Sequence, residues 1–308
     1  MATNASTIST TVRTSLKLLS TRTAFRVFGV LNPRKTLRAA ARLFSTPFPS
    51  GRARAQAAPT GDAVVGRFEL DGHTIATYVW GDPSRQPYVL FAHGWSSHGT
   101  RFLPWVPRLR EQGYAVVAFD QPAHGRSSGD TTNLPDFAAT LLEVGKRFGP
   151  AALLVAHSLG GAAASVALAQ GLQAERVVLI APAADPLAAT ERFAQLIRLP
   201  QRLFRSLVRS FERQVGVAFD DLQAHHTAPV IARPALIVHD VEDREVPWSE
   251  GERYARYWPD SHLLSTQGLG HNRIAGDDTV IAASLRFLHG ETVGERVVSS
   301  PNLPYGFA

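Results

Sequence analysis

A serine, a histidine and a carboxylate far apart in the chain are of the types that together can make a hydroxyl a nucleophile. Ser158 sits in Ala156-His157-Ser158-Leu159-Gly160, between an apolar run and a small-residue stretch from Ala162 to Ala169. Small neighbours on both sides are what a serine needs on a tight strand-to-helix turn, because the backbone there touches both elements. This is the nucleophile-elbow pattern, with Ala156 in the place of its first glycine. A serine also needs a base. Among eleven histidines, His271 stands out in Gly268-Leu269-Gly270-His271-Asn272, a glycine-rich loop after the last apolar run. A carboxylate must then hold the imidazole in one tautomer. The segment Asp240-Val241-Glu242-Asp243 offers three, and Asp185 is a rival from earlier in the chain.

The elements that must position these residues follow from patterning. Asp71-Gly72 between Val64–Leu70 and Thr74–Trp80 predicts a hairpin. Apolar strands are then predicted at Tyr88–Ala92, Tyr114–Phe119, Ala152–Ala156, Arg176–Ala181, Ala235–His239 and His262–Thr266. Helices are predicted near Arg101–Gln112, Pro135–Phe148, Gly160–Gln170, Ser249–Trp258 and Asp277–His289. Apolar strands alternating with helices predict an α/β fold: a mostly parallel central sheet covered by helices on both faces. The opening hairpin adds antiparallel strands at one edge. Such sheets place their chemistry at the carboxyl ends of the strands, where Ser158 and the candidate acids lie.

The chain order serine, acid, histidine is that of the α/β-hydrolase fold family, and other segments resemble it too. His93-Gly94-Trp95 resembles the family's oxyanion motif, and Asp120 through Ser127 resembles the loop after the next strand in lidded members. His239 through Asp243, followed by Val246-Pro247, resembles the family's acid segment and favours Asp243 over Asp240 or Glu242. The resemblance covers about residues 63–290 and implies a lidded serine hydrolase, esterase-like or thioesterase-like. It implies Ser158 as nucleophile, His271 as base and Asp243 as acid, with backbone N–H groups of Trp95 and Leu159 as the oxyanion hole. No cofactor and no metal is implied. The same triad also suits C–C hydrolysis, perhydrolysis or acyl transfer to an alcohol. The non-enzymatic reading is a binding scaffold of the same fold.

Four segments are expected: a basic, partly helical extension over 1–60, a core over 61–182 and 234–290, a helical lid over 183–233, and a tail over 291–308. The formal charge of +6 on 308 residues is divided unevenly. Ten of the 32 basic residues fall within 1–60, where there is no acidic residue. That leaves 22 basic against 26 acidic residues for the rest, so the body is mildly acidic and the charge does not mark a nucleic-acid partner. The absence of cysteine excludes a disulfide framework and a thiolate nucleophile. No apolar run approaches the roughly 18 residues of a membrane span, which predicts a soluble protein. The missing cysteines fit a cytoplasmic one, and the resemblance implies a small acyl substrate.

Asn32-Pro33 reads as an N-cap and first-turn proline, opening a helix that Thr46-Pro47 ends. Ser50 to Gly61 reads as a small-residue linker, with the folded body starting near Ala63. The extension fits an organelle-targeting leader, a peripheral membrane contact through residues 10–45, or an accessory helix packed on the body. The accessory helix is the expectation.

Overall fold

The computed structural model describes residues 18–297. The helices, in chain order, are α1 (18–31), α2 (Pro33–Ser45), α3 (Pro49–Ala57), α4 (Val106–Glu111), α5 (Leu134–Phe148) and α6 (Leu159–Ala169), then α7 (Pro186–Leu196), α8 (Gln201–Val215), α9 (Ala224–Thr227), α10 (Trp248–Tyr257), α11 (Gly270–Arg273) and α12 (Asp278–Leu288). The strands are β1 (Val64–Leu70), β2 (His73–Trp80), β3 (Tyr88–Ala92), β4 (Ala115–Phe119), β5 (Ala151–His157), β6 (Ala174–Ile180), β7 (Ala235–Asp240) and β8 (Ser261–Thr266).

These elements form two compact units. One holds the sheet and comprises residues 46–185 and 221–297. Its eight strands run in the order β1-β2-β4-β3-β5-β6-β7-β8. The β1–β2 and β2–β4 pairs are antiparallel and all the others are parallel. Asp71 and Gly72 both take positive φ, at 48° and 77°. Such a two-residue turn matches the twist of the flanking strands. Every residue of β3, β4 and β7 is buried, as strands covered on both faces must be. Phe91, Phe102 and Trp105 pack ring against ring in this core.

Two local expectations change. Residues 99–105 form a 3₁₀ helix before α4, in place of one continuous helix from Arg101. Pro104 and Pro107 lack the N–H that the α-helical ladder requires there. The stretch read as a linker is helical over Pro49–Ala57. Its small residues serve close packing, since a Cβ on Gly51 would lie 2.5 Å from the Ser96 carbonyl oxygen. The Arg52 guanidinium ties α3 further, donating to the Gly129 and Ser127 carbonyls.

The other unit is helical and comprises 18–45 with Pro186–Asp220. The Asn32 side chain accepts from the Lys35 amide at the start of α2. Phe44 of α2 meets Phe193 of α7 and Phe211 of α8, with ring centroids 4.9 and 5.2 Å apart. Leu203, Leu207 and Phe211 form the buried stripe of α8, a spacing of one helical turn each.

Candidate active site

The site is assembled from loops at the carboxyl ends of β3, β5, β7 and β8. Ser158 stands between β5 and α6 with φ 58° and ψ −125°, a conformation that side chains other than glycine rarely adopt. Its neighbours are small for a geometric reason. A Cβ on Gly160 would come within 2.6 Å of the Ala92 and His93 carbonyl oxygens, and one on Gly161 within 2.8 Å of Pro182. Opposite the turn, a Cβ on Gly94 would come within 2.7 Å of the Ser158 Cβ. The strain holds because the surroundings fix it: the Ser158 amide donates to Ile180 at 3.0 Å.

The structure brings Ser158, His271 and Asp243 together. The Ser158 hydroxyl donates to His271 Nε2 at 2.9 Å, and His271 Nδ1 donates to Asp243 Oδ2 at 2.7 Å. An ionised carboxylate only accepts, so the proton of the neutral imidazole sits on Nδ1 and Nε2 is free to receive one. All three side chains are almost wholly withdrawn from solvent. Burial pushes the Asp243 carboxyl up. Hydrogen bonds from His239 and His271, attraction to His271 when that ring is protonated, and the Val246 amide outweigh it and hold the group well below the usual carboxylate range.

The neighbouring carboxylates are engaged elsewhere. Asp240, at the end of β7, accepts from Thr266 Oγ1 at 2.8 Å, the Leu269 amide at 2.9 Å and the Glu242 amide at 3.0 Å. It therefore ties the acid loop to the loop that carries His271. Glu242 is exposed. Asp185 pairs with Arg253 at 2.9 Å.

Trp95 and Leu159 both lie at the nucleophile, one following Gly94 and the other following Ser158. Among the described residues, neither backbone N–H donates to a protein acceptor. The loop that carries Trp95 is held from several sides. Ser96, itself at φ 52°, donates its amide to His124 Nε2 at 2.9 Å and accepts from the Phe48 amide at 2.9 Å. His124 Nδ1 donates to Pro122 at 2.9 Å. His93 Nε2 accepts from the Gln121 amide at 3.0 Å, and its Nδ1 donates to Gly94 at 2.7 Å. Burial pushes both imidazoles down to about 3, so each stays neutral with one fixed tautomer. Asp120 accepts from Tyr78, Gly99 and Arg126, ordering the loop after β4.

The His271 loop is clamped as well. His157 Nε2 donates to the His271 carbonyl at 2.8 Å, and its ring packs 4.8 Å from the His271 ring. The Arg101 guanidinium donates to the Asn272 carbonyl at 2.6 Å, while Asn272 Nδ2 donates to Glu245 at 2.6 Å. The glycine pattern of the sequence had no bearing on Asp240, His239, Ser96 or Arg101. Reading Ser50 to Gly61 as a linker gave no sign of the brace under Ser96.

A strained serine facing an imidazole–carboxylate pair, with two open N–H groups beside it, is equipped to attack a carbonyl and stabilise the resulting oxyanion. A profile of the alpha/beta hydrolase family matches residues 89–284. The pimeloyl-[acyl-carrier protein] methyl ester esterase of Xanthomonas campestris pv. campestris is 27% identical over 241 residues, which is 65% of this chain and 93% of that protein. The protein of the same name from Xanthomonas axonopodis pv. citri is 29% identical over 243 residues, 66% of this chain and 95% of its own. Among solved structures, mouse alpha/beta hydrolase domain-containing protein 10 superposes with a TM-score of 0.57 at 21% identity. That match covers 74% of this chain and 97% of the mouse protein. Sheet order, strand-end site and sequence profile agree: this chain belongs to the alpha/beta hydrolase family and is a hydrolase.

Proposed function

We propose that the chain hydrolyses carboxylic esters through an acyl-enzyme on Ser158. The observation that carries the reading is the continuous path from Ser158 Oγ through His271 to Asp243, at 2.9 and 2.7 Å. His271 Nε2 removes the hydroxyl proton as Oγ bonds to the acyl carbon. The N–H groups of Trp95 and Leu159 receive the oxyanion. Collapse of the tetrahedral adduct breaks the bond to the alkoxy oxygen, which leaves as the alcohol with the proton held by His271. Water then gives a proton to His271 and attacks the acyl carbon, and Ser158 leaves with that proton as the acid is released. Asp243, kept ionised, fixes the tautomer and stabilises the transient imidazolium.

The relatives named as methyl ester esterases support esters of small alcohols as the substrate class. A thioester would traverse the same steps. A fluorophosphonate probe labels the wild-type chain and leaves Ser158→Ala unlabelled, and nitrophenyl ester turnover disappears with the label. Labelling that persists in Ser158→Ala, in a folded protein, overturns the assignment.

A further inference from the structure

The outward face of α1 is apolar, against the usual pattern of a helix packed at a surface. Its inward face is fixed inside the helical unit. Gly29 packs on Pro200 so closely that a Cβ would lie 2.7 Å from Pro200 Cγ. Arg202 donates to the Gly29 carbonyl at 2.9 Å, and Arg22 donates to the Leu196 carbonyl at 2.8 Å. With that face docked, Leu19, Thr23, Ala24, Val27 and Phe28 line an open apolar groove along the other side. Phe28 is 55% exposed, and Val30 and Leu31, one helical step further, are 64% and 72% exposed. A cluster of large apolar side chains this exposed marks a surface that meets something other than water.

The charges around it identify what that is. Arg26, Arg34, Lys35 and Arg38 are exposed on α1 and α2, and no acidic residue occurs before Asp62. An apolar stripe on a helix pair that carries cations and no acid complements an anionic lipid surface, where acyl chains accept the apolar residues and headgroups accept the arginines. No helix among the described residues is long and apolar enough to cross a membrane, so the contact is peripheral. We propose that the α1–α2 face docks on an anionic lipid bilayer, with Val27, Phe28, Val30 and Leu31 entering the headgroup boundary.

The test is flotation of the full chain with phosphatidylcholine vesicles and with equimolar phosphatidylcholine–phosphatidylglycerol vesicles. The chain is expected to float with the anionic vesicles and not with phosphatidylcholine alone, and to be released by high salt. Arg34→Gln combined with Arg38→Gln lowers the partition by about 30-fold, at roughly fivefold for each cation lost near the surface. Phe28→Ser combined with Leu31→Ser abolishes flotation with the circular dichroism spectrum unchanged. Flotation unaffected by both pairs overturns the assignment of this face. A chain that floats with neither vesicle, and instead forms a dimer that Phe28→Ser/Leu31→Ser dissolves, assigns the face to a second copy and overturns the proposal.

Discussion

At the scale of single residues, the acid is where alternatives competed most closely. Asp240, Glu242 and Asp243 lie within four positions, yet their surroundings differ entirely. Asp240 holds two loops together, Glu242 faces solvent, and Asp243 meets His271. Asp243→Asn replaces an acceptor by an amide that can donate to Nδ1, which favours the wrong imidazole tautomer. The expected loss of kcat is about 10³–10⁴-fold, with KM little changed. Asp185→Asn removes the pairing with Arg253, worth on the order of 1 kcal/mol of stability, and leaves kcat near the wild-type value. Steady-state kinetics on a nitrophenyl ester separate the two. A larger kcat loss in Asp185→Asn than in Asp243→Asn would move the acid to Asp185.

At the scale of elements, the loop after β3 is supported by a helix whose sequence hides its role. Gly51 lets α3 approach Ser96, and the Phe48 amide binds the Ser96 hydroxyl, one residue beyond Trp95. Gly51→Val puts a side chain into the Ser96 carbonyl and displaces the loop. Loss of one oxyanion donor costs about 10²–10³-fold in kcat, which bounds the expected effect from above. A fall in kcat between about tenfold and that limit is expected, with unfolding transitions still cooperative and fluorophosphonate labelling slowed in parallel. A variant of normal kcat would show that the brace does not hold the loop. The same packing explains why composition misleads here: small residues mark both mobile linkers and the tightest helix contacts, and only the neighbour tells them apart.

At the scale of the whole molecule, buried imidazoles set the acid side of stability. His93 and His124 titrate near 3 in the folded chain because burial disfavours their charge, and near 6.5 once unfolded. Below pH 6.5 the unfolded chain binds more protons, so stability falls as pH falls through this window. From pH 7 to pH 5 each buried imidazole contributes a loss of about 2 kcal/mol. Asp243 acts with the same sign lower down, because its depressed carboxyl stabilises the fold above the unfolded carboxylate range and loses that contribution on further acidification. Urea midpoints measured across this range are expected to drop on acidification, and to drop less in His124→Gln. The glutamine retains an acceptor for Ser96 and a donor for Pro122 without a charge to bury. An equal drop in His124→Gln would remove this histidine from the account.

Much of the fold was legible because its determinants are local. Apolar runs, the Asp71-Gly72 turn and first-turn prolines encode strands, hairpin and helix starts within a few residues of themselves. Ser158 and His271 were legible for the same reason, since a strained turn and a loop histidine each demand small neighbours beside them in sequence. The resemblance already favoured Asp243 within its segment, whereas its contact with His271, the bracing of Ser96 by α3, the clamp of Arg101 on Asn272 and the apolar outer face of α1 belong to the tertiary structure alone. Each depends on which groups from distant segments satisfy one another when water is removed. Hydrogen-bond demand and close packing are properties of the assembled neighbourhood and leave no pattern along the chain.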